Sequence, residues 1–256
     1  MRQLTAFMKK EFIELVRTGK LTILLILFAL FGIMNPAVAK LTPWMMGLFA
    51  DSLAETGMIV TTVEVNALTS WTQFYKNIPM ALIVFVLLYS GTLTSEYQKG
   101  TLVNMLTKGM RRWKVIVAKA FIMILSWTVC YWLCYVITLG YNVYFWDNSI
   151  VSNLFFGPLC FYLVGIWVIS LILLMSSLFA NNAAVLVGTG GVFVILYLLG
   201  MIPSLSRYLP ARLMDSGSMM MGTLPAGGFF YAAAVVLVLS AGGIAGAAAC
   251  FNSRAI

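Results

Sequence analysis

The chain has 256 residues, of which 62% are hydrophobic and 9% are charged, and its formal net charge is +8 at pH 7. A soluble domain has roughly a quarter of its residues charged, so this composition excludes a water-soluble fold and predicts an integral membrane protein. The chain contains no histidine, which excludes histidine metal sites and serine–histidine intramembrane proteases.

Residues 1–20 precede the first long apolar run and are predicted to form an amphipathic helix, most clearly over residues 4–18. Apolar residues recur there at helical spacing: Leu4, Phe7, Met8, Phe12 and Leu15. Basic residues occupy the other faces, so the helix is expected to lie in the inner membrane interface. Glu11 falls within the apolar stripe, where an unpaired carboxylate is costly. Pairing with a basic residue, contact with a partner protein, a snorkelling lysine and a frayed first turn are the explanations left open for Glu11.

Six continuous apolar runs predict six transmembrane helices, because about 20 residues in a helix cross the hydrocarbon core. The predicted spans are about 21–41, 78–96, 115–138, 154–180, 183–203 and 228–250. The runs do not alternate between apolar and polar residues, so the predicted fold class is an all-α integral membrane protein.

Two connections between these spans need interpretation. The uncharged stretch from Asn148 to Ser206 is too long for one crossing, and Asn181–Asn182 is interpreted as a tight turn between two helices. Residues 42–77 form the longest polar stretch, in which Pro43 indicates a turn and short stripes predict small interfacial helices.

The basic residues predict the orientation of the chain. With both termini in the cytoplasm, twelve basic residues fall in inner segments and four in outer ones, namely Lys40, Lys76, Arg207 and Arg212. Positive residues favour the cytoplasmic side, so this distribution explains the net charge without nucleic-acid binding. Tryptophans near the predicted span ends are expected to be interfacial anchors: Trp44, Trp71, Trp113 and Trp146.

The spans carry no chemistry that indicates an enzyme. Charged residues lie only at the span ends, and Glu96, at the cytoplasmic mouth of the second span, is interpreted as a cap or a partner in a salt bridge. The four cysteines lie in apolar runs, which favours neither a disulfide nor a metal site. The chain has no GxxxxGK[ST] phosphate loop, so energy for active transport would have to come from another subunit.

The segment SEYQKGTLVNMLTKGMRRWKVIVAK, residues 95–119, concentrates basic residues between the second and third spans. Gly100 is predicted to break the preceding helix, and Thr101 can cap a new one that begins near Leu102. Such a short amphipathic helix can present an apolar ridge to a partner's groove. The alternative is an ordinary cytoplasmic loop that rests on anionic lipid.

This segment resembles the one that follows the second span in permeases of the ABC-2 class of ATP-binding-cassette exporters. MKKEFIELVRTGK is similar to the N-terminal interfacial helix of that family, and FNSRAI is similar to its closing F-x-x-R-D-I pattern, except that Ala255 replaces the acidic residue. The resemblance covers most of the chain. It implies the ABC-2 (type V) exporter fold, a single transmembrane domain over residues 1–256 with six spans, an N-terminal interfacial helix and a cytoplasmic coupling helix.

The resemblance also implies partners and roles. A separate ATPase subunit would bind ATP and Mg, a second permease copy or paralogue would complete the transporter, and this chain itself would bind no cofactor. A coupling element at 97–112 would contact the ATPase, and its predicted contact residues are Glu96, Tyr97, Gly100, Thr101, Leu102 and Leu106. Glu11 would be a second contact or an internal lock. The expected location is the bacterial cytoplasmic membrane.

Small residues indicate where helices approach closely. Ala184 and Gly188 lie four residues apart in the fifth span, as do Gly242 and Gly246 in the sixth. The sequence does not distinguish helix packing within the subunit from packing at a dimer interface.

Three functions fit the sequence. The first is an exporter subunit for an amphipathic or hydrophobic cargo, such as an antimicrobial peptide, a drug or a lipid, because buried charge is lacking. The second is an ATP-independent secondary carrier or channel. The third is a membrane scaffold or signalling subunit whose loop 97–114 binds a regulator.

Overall fold

The computed structural model describes residues 2–48, 65–100, 107 and 111–253. Within these ranges the chain is helical, without any strand, and six helices are long and apolar enough to cross a membrane. This confirms the predicted all-α class with six spans. The helices are α1 (Arg2–Arg17), α2 (Lys20–Leu48), α3 (Ala67–Tyr89), α4 (Thr94–Gln98), α5 (Arg112–Phe145), α6 (Phe156–Leu178), α7 (Asn182–Leu199), α8 (Pro203–Ser206), α9 (Ala211–Met214), α10 (Ser216–Met220) and α11 (Gly227–Ser253).

Helix α6 forms the centre of the bundle. In its most apolar stretch 67% of the residues are buried, against 11% in α7, which lies at the periphery. Helix α6 packs against α5, α7 and α11. The contact with α5 is close because Gly165 lies under the indole of Trp127, where any Cβ would overlap the ring. The indole nitrogen of Trp127 donates to the carbonyl of Tyr162 at 3.1 Å, which fixes the two helices further.

Helix α1 packs across one end of the bundle, against α5 and α2. Phe7 and Leu15 are buried on its inner face, whereas Ile13 and Val16 are exposed. A turn at Gly19, with φ at +72°, joins α1 to α2. The end of the bundle that α1 covers is hereafter called the α1 end, and the other is called the opposite end.

Helices α2 and α3 are longer than the spans predicted at 21–41 and 78–96. Helix α2 continues through Pro36 and Pro43 to Leu48, so Pro43 does not mark a turn. Transmembrane helices tolerate proline because neighbouring groups satisfy the freed carbonyl. Helix α3 begins at Ala67 behind Asn66, whose side chain accepts a hydrogen bond from the backbone N–H of Thr69 at 3.2 Å. Of the predicted outer segment 42–77, residues 49–64 lie outside the described residues.

The prediction that Trp71 is an interfacial anchor is wrong, because its side chain is fully buried. Since α3 starts earlier than expected, Trp71 lies one turn inside the helix and packs against Phe74 and Tyr135, with ring centroids 5.6 and 5.5 Å away. Its indole nitrogen donates to Asn148 Oδ1 at 3.4 Å. Trp44, by contrast, is 64% exposed, as an anchor in the interface should be.

Candidate functional site

Five charged side chains from α1, α4 and α5 meet at the α1 end. They form the ionic cluster, which consists of Lys10, Glu11, Glu14, Glu96 and Lys119. Three members are almost fully buried, with exposed fractions of 7% for Glu11, 5% for Glu96 and 1% for Lys119. Buried charges of this kind are rare unless they are paired, so the geometry of the pairs decides what the cluster can do.

Each buried carboxylate lies between two ammonium groups. Lys119 Nζ is 3.0 Å from Glu11 Oε2 and 3.2 Å from Glu96 Oε2. Lys10 Nζ is 3.0 Å from Glu11 Oε1 and 2.9 Å from Glu96 Oε1, and it also pairs with Glu14 at 2.9 Å. Lys119 donates a further hydrogen bond to the carbonyl of Thr92 at 3.2 Å. These salt bridges connect the three helices α1, α4 and α5.

The local sequence places these groups. Glu11 shares the buried face of α1 with Phe7 and Leu15, which lie one turn before and one turn after it. The ring of Phe7 lies near both ammonium groups, with its centroid 5.3 Å from Lys10 Nζ and 5.9 Å from Lys119 Nζ. The apolar residues on this face of α1 therefore place the carboxylate of Glu11 inside the bundle.

The two cluster residues Glu11 and Lys10 stabilise each other's charged forms. Burial by itself raises the pKa of Glu11, but the nearby ammonium groups of Lys119 and Lys10 outweigh burial and hold that pKa below its usual value. Burial likewise lowers the pKa of Lys10, yet its bonds to Glu14 and Glu96 leave that pKa raised. Glu11 and Lys10 thus stay ionised together.

The cluster is suited to ion pairing rather than to metal binding. Ligand oxygens of Glu11, Glu14 and Glu96 lie within 4.8 Å of one another, a spacing that would suit a cation. The ammonium groups of Lys10 and Lys119 already lie between these carboxylates at 2.9–3.2 Å. A metal ion would have to displace a paired lysine.

The structure brings Glu11 and Glu96 together, and both face the interior rather than water. Tyr97 packs on Phe251 of α11 at a centroid distance of 6.0 Å. Gly100 is the last described residue before position 107, and its φ of +66° is a conformation that favours glycine. Three further predicted coupling residues, Thr101, Leu102 and Leu106, lie outside the described residues.

The predicted small-residue positions differ in their surroundings. A Cβ on Gly188 would lie 2.9 Å from Met175 Sδ, and one on Gly246 would lie 3.4 Å from Leu174 Cδ1, so both face α6 of the same chain. Ala184 is half-buried. In α11 the closest approach is at Gly243, whose Cβ would lie 2.8 Å from Ser170 Oγ. A Cβ on Gly242 would have no neighbour within 4 Å among the described residues.

A second buried polar cluster escaped the sequence analysis. Asn77 donates to Asn35 Oδ1 at 2.8 Å, Asn35 donates to Thr138 Oγ1 at 3.1 Å, and Thr138 donates to the carbonyl of Gly32 at 3.1 Å. These side chains form the asparagine network, which joins α2, α3 and α5. Thr138 lies roughly 28 Å along α5 from Lys119, toward the opposite end. No charged residue marks this network in the sequence, because every member is neutral.

A mostly apolar cavity of about 270 Å³ lies between α3, α6 and α7. Leu82, Phe161 and Phe193 are among the residues that line it, and Thr189 contributes a hydroxyl. Thr189 is 2% exposed, and its hydroxyl has no hydrogen-bond partner within the described residues. This site fits an apolar group better than a charged one.

Comparison with known proteins identifies the family. A family model described as "ABC-2 family transporter protein" matches residues 5–212. No curated protein and no solved structure matches the chain. The matched region holds the ionic cluster, the asparagine network and the first five spans. The chain belongs to the ABC-2 family of transporter proteins.

Proposed function

We propose that this ABC-2 family chain is the permease subunit of an ATP-binding-cassette exporter in a bacterial cytoplasmic membrane. It moves an amphipathic or hydrophobic cargo outward, using ATP and Mg bound by a separate ATPase subunit. The observation that carries this proposal is the ionic cluster, which fastens α1 and α4 to the transmembrane helix α5.

The cluster provides a mechanical connection from the cytoplasm to the spans. Glu96 directly precedes the segment 97–112, which we propose to dock on the ATPase. Its carboxylate is held by Lys119 of α5 and Lys10 of α1, so a displacement of the docked segment would pull on both helices. Removing one partner of a buried ion pair costs about 3–5 kcal/mol, so the pairs of Glu96 favour joint movement of the three helices.

The cavity between α3, α6 and α7 supports an apolar cargo. Within the described residues its lining is apolar except for the hydroxyl of Thr189. A charged headgroup placed there would lose its hydration without gaining a partner, whereas a hydrocarbon group would lose nothing. The exposed apolar surface of α7 beside this cavity supports pairing with a second permease copy or with lipid.

The test is reconstitution with a candidate ATPase subunit, chosen by a phosphate loop in its sequence and a gene adjacent to that of this chain. We expect the two proteins to copurify and the cargo to stimulate ATP hydrolysis in lipid nanodiscs. The variants Leu102→Glu and Leu106→Glu should abolish the stimulation, because they place charge on the predicted docking ridge. The control Ile150→Glu changes an exposed residue at the opposite end and should leave hydrolysis unchanged.

Two results would contradict the proposal. Cargo movement at full rate in vesicles that lack the ATPase would identify a secondary carrier. Copurification of an ATPase whose hydrolysis never responds to any cargo, together with no cargo movement, would favour a scaffold or signalling subunit.

A further inference from the structure

A second cavity, which is partly polar, lies at the opposite end of the bundle, between the end of α7 and the short helices α8 and α9. It has a volume of about 350 Å³, within the range of ligand sites, and it is lined by Tyr197 and Met201 together with Arg212 and Asp215. Its position follows from the helix directions. Helix α7 starts at Asn182, beside Gly91 at the α1 end, and α11 returns to that end at Phe251.

The cavity contains opposite charges that do not pair with each other. Arg212 and Asp215 are three residues apart, and the backbone N–H of Asp215 donates to the carbonyl of Arg212 at 3.2 Å. The guanidinium lies instead over the ring of Phe229, 4.8 Å from its centroid. Asp215 accepts a hydrogen bond from the Ser218 hydroxyl at 2.5 Å. In the described part of the chain, no carboxylate lies within ion-pair distance of Arg212.

The surroundings are those of a membrane interface. Arg207 lies 4.4 Å from the centroid of Tyr231, and Tyr208 packs edge-on against the same ring. Basic and aromatic residues of this kind sit at the level of lipid headgroups. Met201 is 72% exposed, and α7 exposes an apolar surface directly below the cavity. A hydrocarbon chain that descends from the cavity would therefore contact α7.

We propose that the cavity around Arg212 and Asp215 binds the headgroup of a phospholipid that carries both a phosphate and an ammonium group. The guanidinium of Arg212 would bind the phosphate through its N–H donors, and Asp215 would bind the ammonium group. A headgroup that has a phosphate but lacks an ammonium group would leave Asp215 beside a like charge. The site thus favours phosphatidylethanolamine over phosphatidylglycerol. This binding is independent of ATP-driven transport.

The experiment is lipid titration of the delipidated chain in detergent, followed by native mass spectrometry. The probes are dioleoyl phosphatidylethanolamine and dioleoyl phosphatidylglycerol, with soluble phosphoethanolamine and inorganic phosphate as competitors. We expect the wild type to prefer phosphatidylethanolamine. Arg212→Gln should weaken its binding on the order of tenfold, the effect of losing a hydrogen-bonded charge contact. Asp215→Asn should remove the preference without removing binding.

Controls separate this site from general attraction to lipid. Lys40 lies over Phe145 at the same end, with Nζ 3.8 Å from the ring centroid, so Lys40→Gln removes a similar cation elsewhere and should change nothing. Asp215 is exposed, so Asp215→Asn reports on lipid preference even if Arg212→Gln folds poorly. Unchanged preference in Asp215→Asn would overturn the proposal. Displacement of the lipid by phosphoethanolamine or inorganic phosphate at equal concentration would overturn the assignment to a membrane lipid.

Discussion

The ionic cluster and the asparagine network fasten the same helix, α5, at its two ends by different chemistry. At the α1 end, Lys119 of α5 bonds to Glu11 and Glu96. Toward the opposite end, Thr138 of α5 bonds to Asn35 and to the carbonyl of Gly32. Both sites are buried, but the first carries full charges and the second carries none.

The difference follows from depth and bears on function. Ionised groups are costly at membrane depth, so the charged side chains lie at the bundle end that α1 and α4 cover. Between the spans, neutral amide and hydroxyl groups form the hydrogen bonds instead. A charged cluster is expensive to break and responds to pH, whereas a neutral network is weaker and indifferent to pH. This contrast makes the α1 end the more strongly fastened end of α5, and of these two sites it is the one whose strength depends on pH.

The largest expected effect is that of Lys119→Met. This change leaves the carboxylates of Glu11 and Glu96 buried with one ammonium partner fewer, so we expect the free energy of unfolding to fall by about 3–5 kcal/mol. Thermal or denaturant unfolding in detergent micelles measures the loss. A loss below 1 kcal/mol would show that the cluster is no stronger than a neutral contact.

Two variants serve as controls for this prediction. Lys9 is exposed on α1 beside the cluster, so Lys9→Met should change stability by less than about 0.5 kcal/mol. The double variant Glu11→Gln with Lys119→Met removes one charge of each sign, and it should be more stable than Lys119→Met alone.

Low pH should produce part of the same loss of stability, because protonation removes the charge of Glu11. The pKa of Glu11 is held below its usual value by Lys119 and Lys10 despite burial, so the stability it contributes is fully present above about pH 4.3 and is lost as pH falls through its folded-state pKa. The pKa of Lys10 is raised, so its contribution is present below about pH 10.4 and is lost at higher pH. Unfolding temperature against pH should therefore show a plateau between these limits. Glu11→Gln should flatten the acid side, and an unchanged acid slope in that variant would contradict the assignment.

The sequence predicted the spans well and the partners of Glu11 only in outline. Apolar runs determine six spans because hydrophobic length is a property of each segment alone. Pairing of Glu11 with a basic residue was one of four open explanations. Which basic residue pairs with Glu11 depends on how α1 is rotated against α5, so the sequence did not identify Lys119. One signal was present: Glu96 ends one run and Lys119 begins the next, which puts opposite charges at one depth on adjacent helices.

Other features needed knowledge of the packing. The burial of Trp71 depends on the early start of α3 at Ala67, which a polar sequence such as NALTSWTQ does not reveal. The asparagine network was visible in part, because Thr138 and Asn35 are polar residues within apolar runs. Their pairing across α2 and α5 depends on the rotation of both helices.

A smaller effect is expected for Gly32→Ala, beside the asparagine network. A Cβ on Gly32 would lie 2.9 Å from Ile137 Cβ and 3.1 Å from the carbonyl of Cys134, so α2 would have to move away from α5. Overpacking of this kind costs about 1–3 kcal/mol. The matched control is Gly47→Ala in the same helix, where a Cβ would have no neighbour within 4 Å among the described residues. Equal stabilities of the two variants in micelles would show that α2 and α5 do not approach closely here.

The smallest effect, and the sharpest contrast with the ionic cluster, belongs to Thr138→Val. Valine has nearly the shape of threonine but neither accepts from Asn35 nor donates to Gly32, so the variant loses two neutral hydrogen bonds without leaving a cavity. Bonds of this type between transmembrane helices average about 0.6 kcal/mol each, so the loss of both should cost about 1.2 kcal/mol. Because no member of the network is ionisable, the loss should be the same at pH 7 and at pH 5, measured by unfolding in the same micelles. A loss that grows toward acid pH would mean that the two ends of α5 are energetically coupled rather than fastened independently.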